Sequence, residues 1–289
     1  MHRELFNSPE KKWVRERLWL PRLQTFKAQI TADLKYLTFA GPEGHDIELF
    51  CLRRKLIKID KVHVWEKSQE NAASLVKKYG PTLRVKVGEA FDLVTARDQV
   101  SLFPFHVINL DYTSGAFNLK QTRWKPAKFE MLENVVARQQ ECASGFLLFL
   151  AVAAAGDVDS ELGKALVQKA AFDLATRLGQ TAPLFVLTKN RAREYPIVLA
   201  DVIPCAVIRI GGERSFDTCC IGKALYRPYR SRKTAILSLV FSFEFANPPL
   251  SQSSHQTMTD MDRIIETRQR GSFSVPLANV DEKVRHLYK

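Results

Sequence analysis

The sequence predicts an α/β protein built on a doubly wound, mostly parallel sheet of seven strands that closes with an antiparallel hairpin. Three observations carry this. A short apolar run, Leu37-Thr38-Phe39-Ala40, leads through Gly41 and Gly44 into a helical stripe. Further strand-like runs alternate with helical patterns, the signature of crossover connections in a parallel sheet. Two long segments then follow each other directly, Thr218 to Tyr226 and Thr234 to Phe245, and read as a hairpin.

In chain order, Ser8-Pro9-Glu10 is a helix start, with a capping hydroxyl and proline at the first helical position. Pro21 is expected to break this segment, and Leu23, Phe26 and Ile30 give a second helical pattern. Residues 1–34 thus form an N-terminal helical extension, 35–245 the α/β domain, and 246–289 a C-terminal helix (Met258 to Arg268) and loose tail. After the glycine turn, Leu49, Leu52, Leu56 and Ile59 recur at helical intervals and predict a helix packed on the sheet. Val62-His63-Val64-Trp65-Glu66 is a second strand that ends in a carboxylate. Ser68 caps a helix carrying Ala72, Leu75, Val76 and Tyr79, and Gly80-Pro81 stops it.

Arg84 to Val87 is a third strand, Phe105 to Tyr112 a fourth and Gly145 to Ala151 a fifth. A helix carrying Phe129, Leu132 and Val136 lies between the last two. Ser160 caps a long amphipathic helix that ends at Gly179. Leu184 to Leu187 reads as a strand and Ile197 to Ile210 as a helix, elaborations that precede the hairpin.

The 289 residues are 46% hydrophobic, enough for one large core. Lysine and arginine exceed aspartate and glutamate by 43 − 31 = +12. That excess suits a polyanionic partner, most simply nucleic acid; dispersed surface charge is the plainer explanation. Five cysteines, odd in number and without a Cys-x-x-Cys pair, read as reduced thiols of a cytoplasmic protein, and no metal site is expected. Met1 to Lys12 is too polar for a signal peptide, and the longest apolar run, Phe146 to Ala155, is too short for a membrane span.

Four short motifs fall at the carboxyl ends of the predicted strands, where doubly wound sheets bind ligands. They are Gly41-Pro42-Glu43-Gly44, Glu66, Gly88-Glu89-Ala90 and Asn109-Leu110-Asp111-Tyr112-Thr113-Ser114-Gly115. Glu66 follows Gly44 by 22 residues, near the ~20 usual for a carboxylate that grips a ribose diol. In this order the motifs resemble the class I S-adenosylmethionine-dependent methyltransferases, across roughly residues 30 to 245.

The resemblance implies that S-adenosylmethionine lies along Gly41, Pro42, Glu43, Gly44, Glu66, Glu89, Ala90 and Asn109. It places Asp111 and Tyr112 at the methyl-transfer position. There Asp111 orients or deprotonates an acceptor, or else closes the methionine end of the pocket, and Tyr112 stacks on a base. The sequence departs from the amino-methylating pattern, since Tyr112 and Thr113 stand where two prolines are usual. It also has two glycines in the first turn, flanking a charged Glu43, where three are usual.

The hairpin turn, Tyr226, Arg227, Tyr229, Arg230, Arg232 and Lys233, alternates cations and rings as a nucleic-acid surface does, with Arg123 and Lys125 nearby. A charged tip that prevents edge pairing is the simpler account. Two readings remain from different classes. One is a methyltransferase acting on RNA or DNA. The other is a catalytically degenerate module of the same fold that binds nucleic acid or a protein partner in a larger complex. A nicotinamide-dependent oxidoreductase shares the glycine turn and the acidic grip, but Gly-x-Gly-x-x-Gly is absent.

Overall fold

Eight strands form one mixed sheet in the computed structural model, in the order β3-β2-β1-β4-β5-β7-β6-β8. The strands are β1 (Tyr36–Thr38), β2 (Val62–Glu66), β3 (Arg84–Val87), β4 (Val107–Gly115), β5 (Phe146–Ala153), β6 (Phe216–Tyr226), β7 (Ile236–Phe245) and β8 (Ala278–Asn279). The structure describes residues 8–88, 102–115, 128–142, 144–153, 200, 203–204, 207–208, 210–227, 235–246 and 278–279. The helices expected at 160–178 and 258–268 and the strand expected at 184–187 lie outside the described residues. Ala200, Ile203, Val207, Ile208 and Ile210 are helical, within the helix expected at 197–210.

β1 pairs in parallel with β2 and β4, β2 with β3, and β4 with β5. β7 runs antiparallel to both of its neighbours, β5 and β6, the feature that the methyltransferase resemblance implies for the last strand. The count is eight and not seven: Ala278–Asn279, in the segment expected to be a loose tail, adds a two-residue strand parallel to β6. β5 reads Phe-Leu-Leu-Phe-Leu-Ala-Val-Ala and is buried along its whole length, as a central strand covered on both faces must be.

Helices cover both faces. On one face α1 (Pro9–Val14) passes through a π-helical turn (Arg15–Trp19) into α2 (Leu20–Ala28). The same face carries α3 (His45–Ile47), which continues as a π-helical segment (Glu48–Arg53), and α4 (Gln69–Tyr79). On the other, α5 (Lys128–Gln140) buries Met131, Leu132, Val135 and Val136. The Gln139 amide clamps the entry to β4: its oxygen accepts the Phe105 N–H at 2.8 Å and its nitrogen donates to the Phe105 carbonyl at 2.6 Å.

Two expectations change. Pro21 does not break the N-terminal segment, because the π turn lies just ahead of it and absorbs the lost N–H, leaving Pro21 in the first turn of α2. Leu52 is 52% exposed and outside the core. The π-helical segment widens the turn after β1, so that Leu49, Phe50 and Cys51 face inward, and Leu56 and Ile59 lie beyond its end.

The N-terminal helices lie on the sheet face. The Trp19 ring stacks on Phe149 of β5 at 5.1 Å, and its Nε1 donates to Ser238 Oγ of β7 at 2.9 Å. Arg22 Nε donates to the Ile221 carbonyl of β6. Among the described residues no helix is long and apolar enough to cross a membrane.

Candidate functional site

β1 leads into the turn that opens the site. Gly41 (φ 63°) and Gly44 (φ 55°) both take the left-handed conformation that a side chain disfavours. Gly44 is also pressed against α4: a Cβ there would lie 2.8 Å from the Tyr79 ring and 2.9 Å from Leu75. The Tyr79 hydroxyl donates to the carbonyls of Glu43 and Gly44 at 2.9 and 2.7 Å, and Lys78 Nζ donates to Glu43 at 2.9 Å. The turn is thereby held from its carbonyl side. Gly41, Pro42 and Gly44 are buried, while Glu43 is exposed. Glu43 therefore points outward to solvent.

Beneath the turn lies Asp46, a residue that sequence reasoning passed over. It is buried, and its Oδ2 accepts three hydrogen bonds: from Tyr36 Oη (2.5 Å), Thr38 Oγ1 (2.6 Å) and Asn109 Nδ2 (3.2 Å). Thr38 and Asn109 are directly opposite in the β1–β4 register, and Asn109 Nδ2 also donates to Thr38 Oγ1 at 3.1 Å. One carboxylate thus joins the helix after the turn to two adjacent strands. Burial raises the Tyr36 pKa well above the phenol's ordinary value, and the Asp46 charge raises it further. Asn109 Oδ1 is buried without a hydrogen-bond partner among the described residues. The available signal was weak, an acid two residues past Gly44 with Ile47 beside it and further acids at Glu43 and Glu48.

Glu66 stands half-buried at the tip of β2, next to β1. Its Oε1 accepts from the Ser68 amide (2.9 Å) and from Asn71 Nδ2 (3.4 Å), and its carbonyl accepts from Gly88 N at 3.1 Å. No described residue bonds Oε2. Glu89 and Ala90 lie outside the described residues.

Asp111 has a partner that the sequence reading did not supply. Lys11 of α1 forms an ion pair with Asp111 Oδ2, and the two side chains are only 6% and 7% exposed. Pairing in the β4–β5 ladder is interrupted after Asp111 and resumes at Gly115. Ser8 caps α1 by accepting the Lys11 amide at 3.2 Å and so sets the direction of that helix. Burial lowers the Lys11 pKa, an effect that Asp111 opposes and Arg15 reinforces. Glu10 and Arg15 are buried beside the pair. Tyr112 packs edge-on against Phe39 at 6.0 Å, and burial raises its phenol pKa.

Tyr226 requires a correction. It is expected at an exposed hairpin turn, yet it is 1% exposed, packed in the core beneath α1, and has no free face on which to stack a base. Burial raises its pKa, and the charges of Asp111 and Glu10 add to the effect. Its neighbour Arg227 is exposed. Arg123, Lys125, Tyr229, Arg230, Arg232 and Lys233 lie outside the described residues.

The geometry therefore gathers Gly41–Gly44, Asp46, Asn109, Asp111 and Lys11 where the carboxyl end of β1 lies against β4. Glu66 sits at the end of β2, two strand spacings or about 10 Å from β4. A shallow cleft of about 240 Å³ opens beside this group, lined by Lys12, Arg15, Glu16, His45, Glu48, Leu49 and Arg53. Among the described residues no group of three His, Cys, Asp or Glu side chains is placed to hold a metal ion.

The arrangement is an α/β protein with a mixed sheet covered by helices on both faces, and its antiparallel β7 is the feature the methyltransferase resemblance implies. No family model matches the chain, and no curated protein matches it. Among solved structures it is similar to TYW2 of M. jannaschii in complex with AdoMet, at 10% identity over 78% of this chain and 76% of that one, with a TM-score of 0.39. It is also similar to a putative Zn-dependent alcohol dehydrogenase from Rhodobacter sphaeroides, at 13% identity over 82% and 99%, again with a TM-score of 0.39. Likenesses this distant say nothing of the activity.

Proposed function

We propose that the protein is an S-adenosylmethionine-dependent methyltransferase acting on a nucleic acid. One observation carries the reading. A left-handed glycine turn at the end of β1 stands beside the Glu66 carboxylate at the end of β2, whose Oε2 has no partner among the described residues. The residues present fit the cofactor. Glu66 Oε2 accepts from a ribose hydroxyl, and the buried Asn109 Oδ1 is an acceptor awaiting a donor. The bare backbone at Gly41 and Gly44 permits close approach.

S-adenosylmethionine, when bound, supplies an already activated methyl group, so the chain's task is positioning more than acid–base chemistry. Asp46 keeps β1, β4 and the turn in register through its three hydrogen bonds. Asp111, where the β4–β5 ladder is interrupted, is the carboxylate of β4 able to orient an acceptor nitrogen. Tyr112 walls that position together with Phe39.

A second reading has its own observation. Lys11 already occupies Asp111 in a buried ion pair, which favours a binding module that no longer transfers methyl groups. Transfer of labelled methyl from S-adenosylmethionine to total RNA and to DNA separates the two. The enzyme reading predicts label in one of them, and its loss in Asp111→Ala with cofactor affinity largely kept. A wild-type protein that binds the cofactor and labels neither nucleic acid is the module.

A further inference from the structure

The amino ends of the parallel strands, opposite the candidate site, carry an ordered row of basic residues. β3, β2, β1 and β4 are consecutive neighbours. Arg84 is the first residue of β3, and Lys61, Lys35 and His106 immediately precede β2, β1 and β4. The registers set these starts side by side: His63 pairs with Arg84, Tyr36 with Val62, and Tyr36 with Val107. Three strand spacings make the row about 14 Å long.

Two members are held firmly and two reach solvent. Lys35 Nζ donates to the Leu102 carbonyl and lies 4.9 Å over the Phe105 ring, while its amide donates to His106 Nδ1 at 2.9 Å. Arg84 is exposed and the Lys61 side chain is 41% exposed. The acids beside the row are Asp33, paired with Lys58 at 2.8 Å, and Asp60, 3.7 Å from Lys61. Among the described residues neither acid is paired with Arg84 or Lys35. Burial holds His63 at a pKa of about 4, and Lys35, Arg84 and Lys61 all push it in that direction.

We propose that this row is a docking surface for the phosphodiester backbone of a nucleic acid. The row's three cations, Arg84, Lys61 and Lys35, stand at the starts of neighbouring strands of a rigid sheet, while His106, whose Nδ1 accepts the Lys35 amide, is neutral. Such an array matches a line of phosphates, whose contacts depend on charge and spacing and not on base identity. A membrane surface fits less well, because no large apolar side chain stands in the row to enter a bilayer. The exposed ones among the described residues, Leu52, Val76 and Val87, lie on the helices and at the far end of β3. The inference is independent of methyl transfer. Glu66 ends the strand that Lys61 precedes, and Val62 to Glu66 spans about 13 Å.

The test is fluorescence anisotropy with single-stranded and duplex RNA probes of about 20 nucleotides, titrated between about 50 and 200 mM salt. Lys61→Gln with Arg84→Gln removes two phosphate contacts. The log–log salt slope should flatten by about 1.4 for the single strand or about 1.8 for the duplex, and the probe showing the larger affinity loss identifies the form bound. Each single variant should carry about half of that change. Arg17→Gln, which neutralises an exposed cation on the helical layer and not at the strand starts, should leave the slope unchanged. The proposal is overturned if wild type binds neither probe, or if the row variant keeps its slope. A loss in the Arg17 control equal to that of a single row variant, or tighter binding of phosphatidylserine vesicles than of either RNA, also overturns it.

Discussion

Lys11 and Asp111 are a hundred positions apart in the chain and meet as a buried ion pair. Removing one member leaves the other charge buried and unpaired, which typically costs about 3–5 kcal/mol, whereas replacing both with apolar residues of similar size is often neutral. Lys11→Met should accordingly lower the unfolding free energy by about 3–5 kcal/mol, and Lys11→Met with Asp111→Leu should recover most of it. Denaturant titrations decide; a single variant as stable as wild type would mean the pair does not form. His63 gives a pH dependence of definite sign. Burial, then Lys35, Arg84 and Lys61, hold its pKa at about 4 against an ordinary 6.5. Between those values the unfolded chain binds a proton that the folded one does not, so stability falls as pH drops from 6.5 toward 4. His63→Phe, which keeps an edge-on contact with Phe105, should flatten the melting-temperature profile over that window. An equally steep profile would remove His63 as its source. Of the site's acids the sequence made the position of Glu66 at the end of β2 legible, because alternation marks a strand end locally; β4 runs past Asp111 to Gly115. Lys11 and Asp46 were not legible, since their roles depend on side chains brought in by the tertiary fold.

Among the elements, the glycine turn and its helix carry the most. Gly44 combines a positive φ with a contact that leaves no room for a Cβ. Gly44→Ala should cost about 1–3 kcal/mol, the range for a residue held in a disfavoured backbone region. It should also weaken S-adenosylmethionine, because the turn must shift away from Tyr79. Thermal melts and cofactor titration of one preparation check both, and an unchanged melting temperature would mean the turn is looser than its contacts imply. Elements with local signals were legible at close to residue precision. The second strand and Arg84–Val87 fall where alternation put them, and Ser68 caps α4 through the Asn71 amide at 3.3 Å. The two π-helical segments were not legible. A widened turn changes which side chains face inward without any local sequence mark, and for that reason Leu52 was misplaced and Pro21 was read as a break.

At the scale of the whole molecule, alternating strands and helices, together with the rule that parallel strands need crossovers, make the first five strands parallel. The hairpin reversal was visible in the long period-two pattern of β7. What the sequence concealed is that the N-terminal helices belong to the site. They look like an appendage, yet Trp19 stacks on the central strand and α1 delivers Lys11 to Asp111. The central claim is that S-adenosylmethionine binds across the glycine turn and Glu66, and calorimetric titration of wild type and Glu66→Ala tests it most directly. Loss of a hydrogen bond to a charged group amounts to about 1.5–3 kcal/mol, so saturable one-site binding by wild type should weaken by about 10- to 150-fold in the variant. A wild-type protein that takes up no cofactor, or a folded Glu66→Ala protein that binds it as tightly as wild type, would contradict the account.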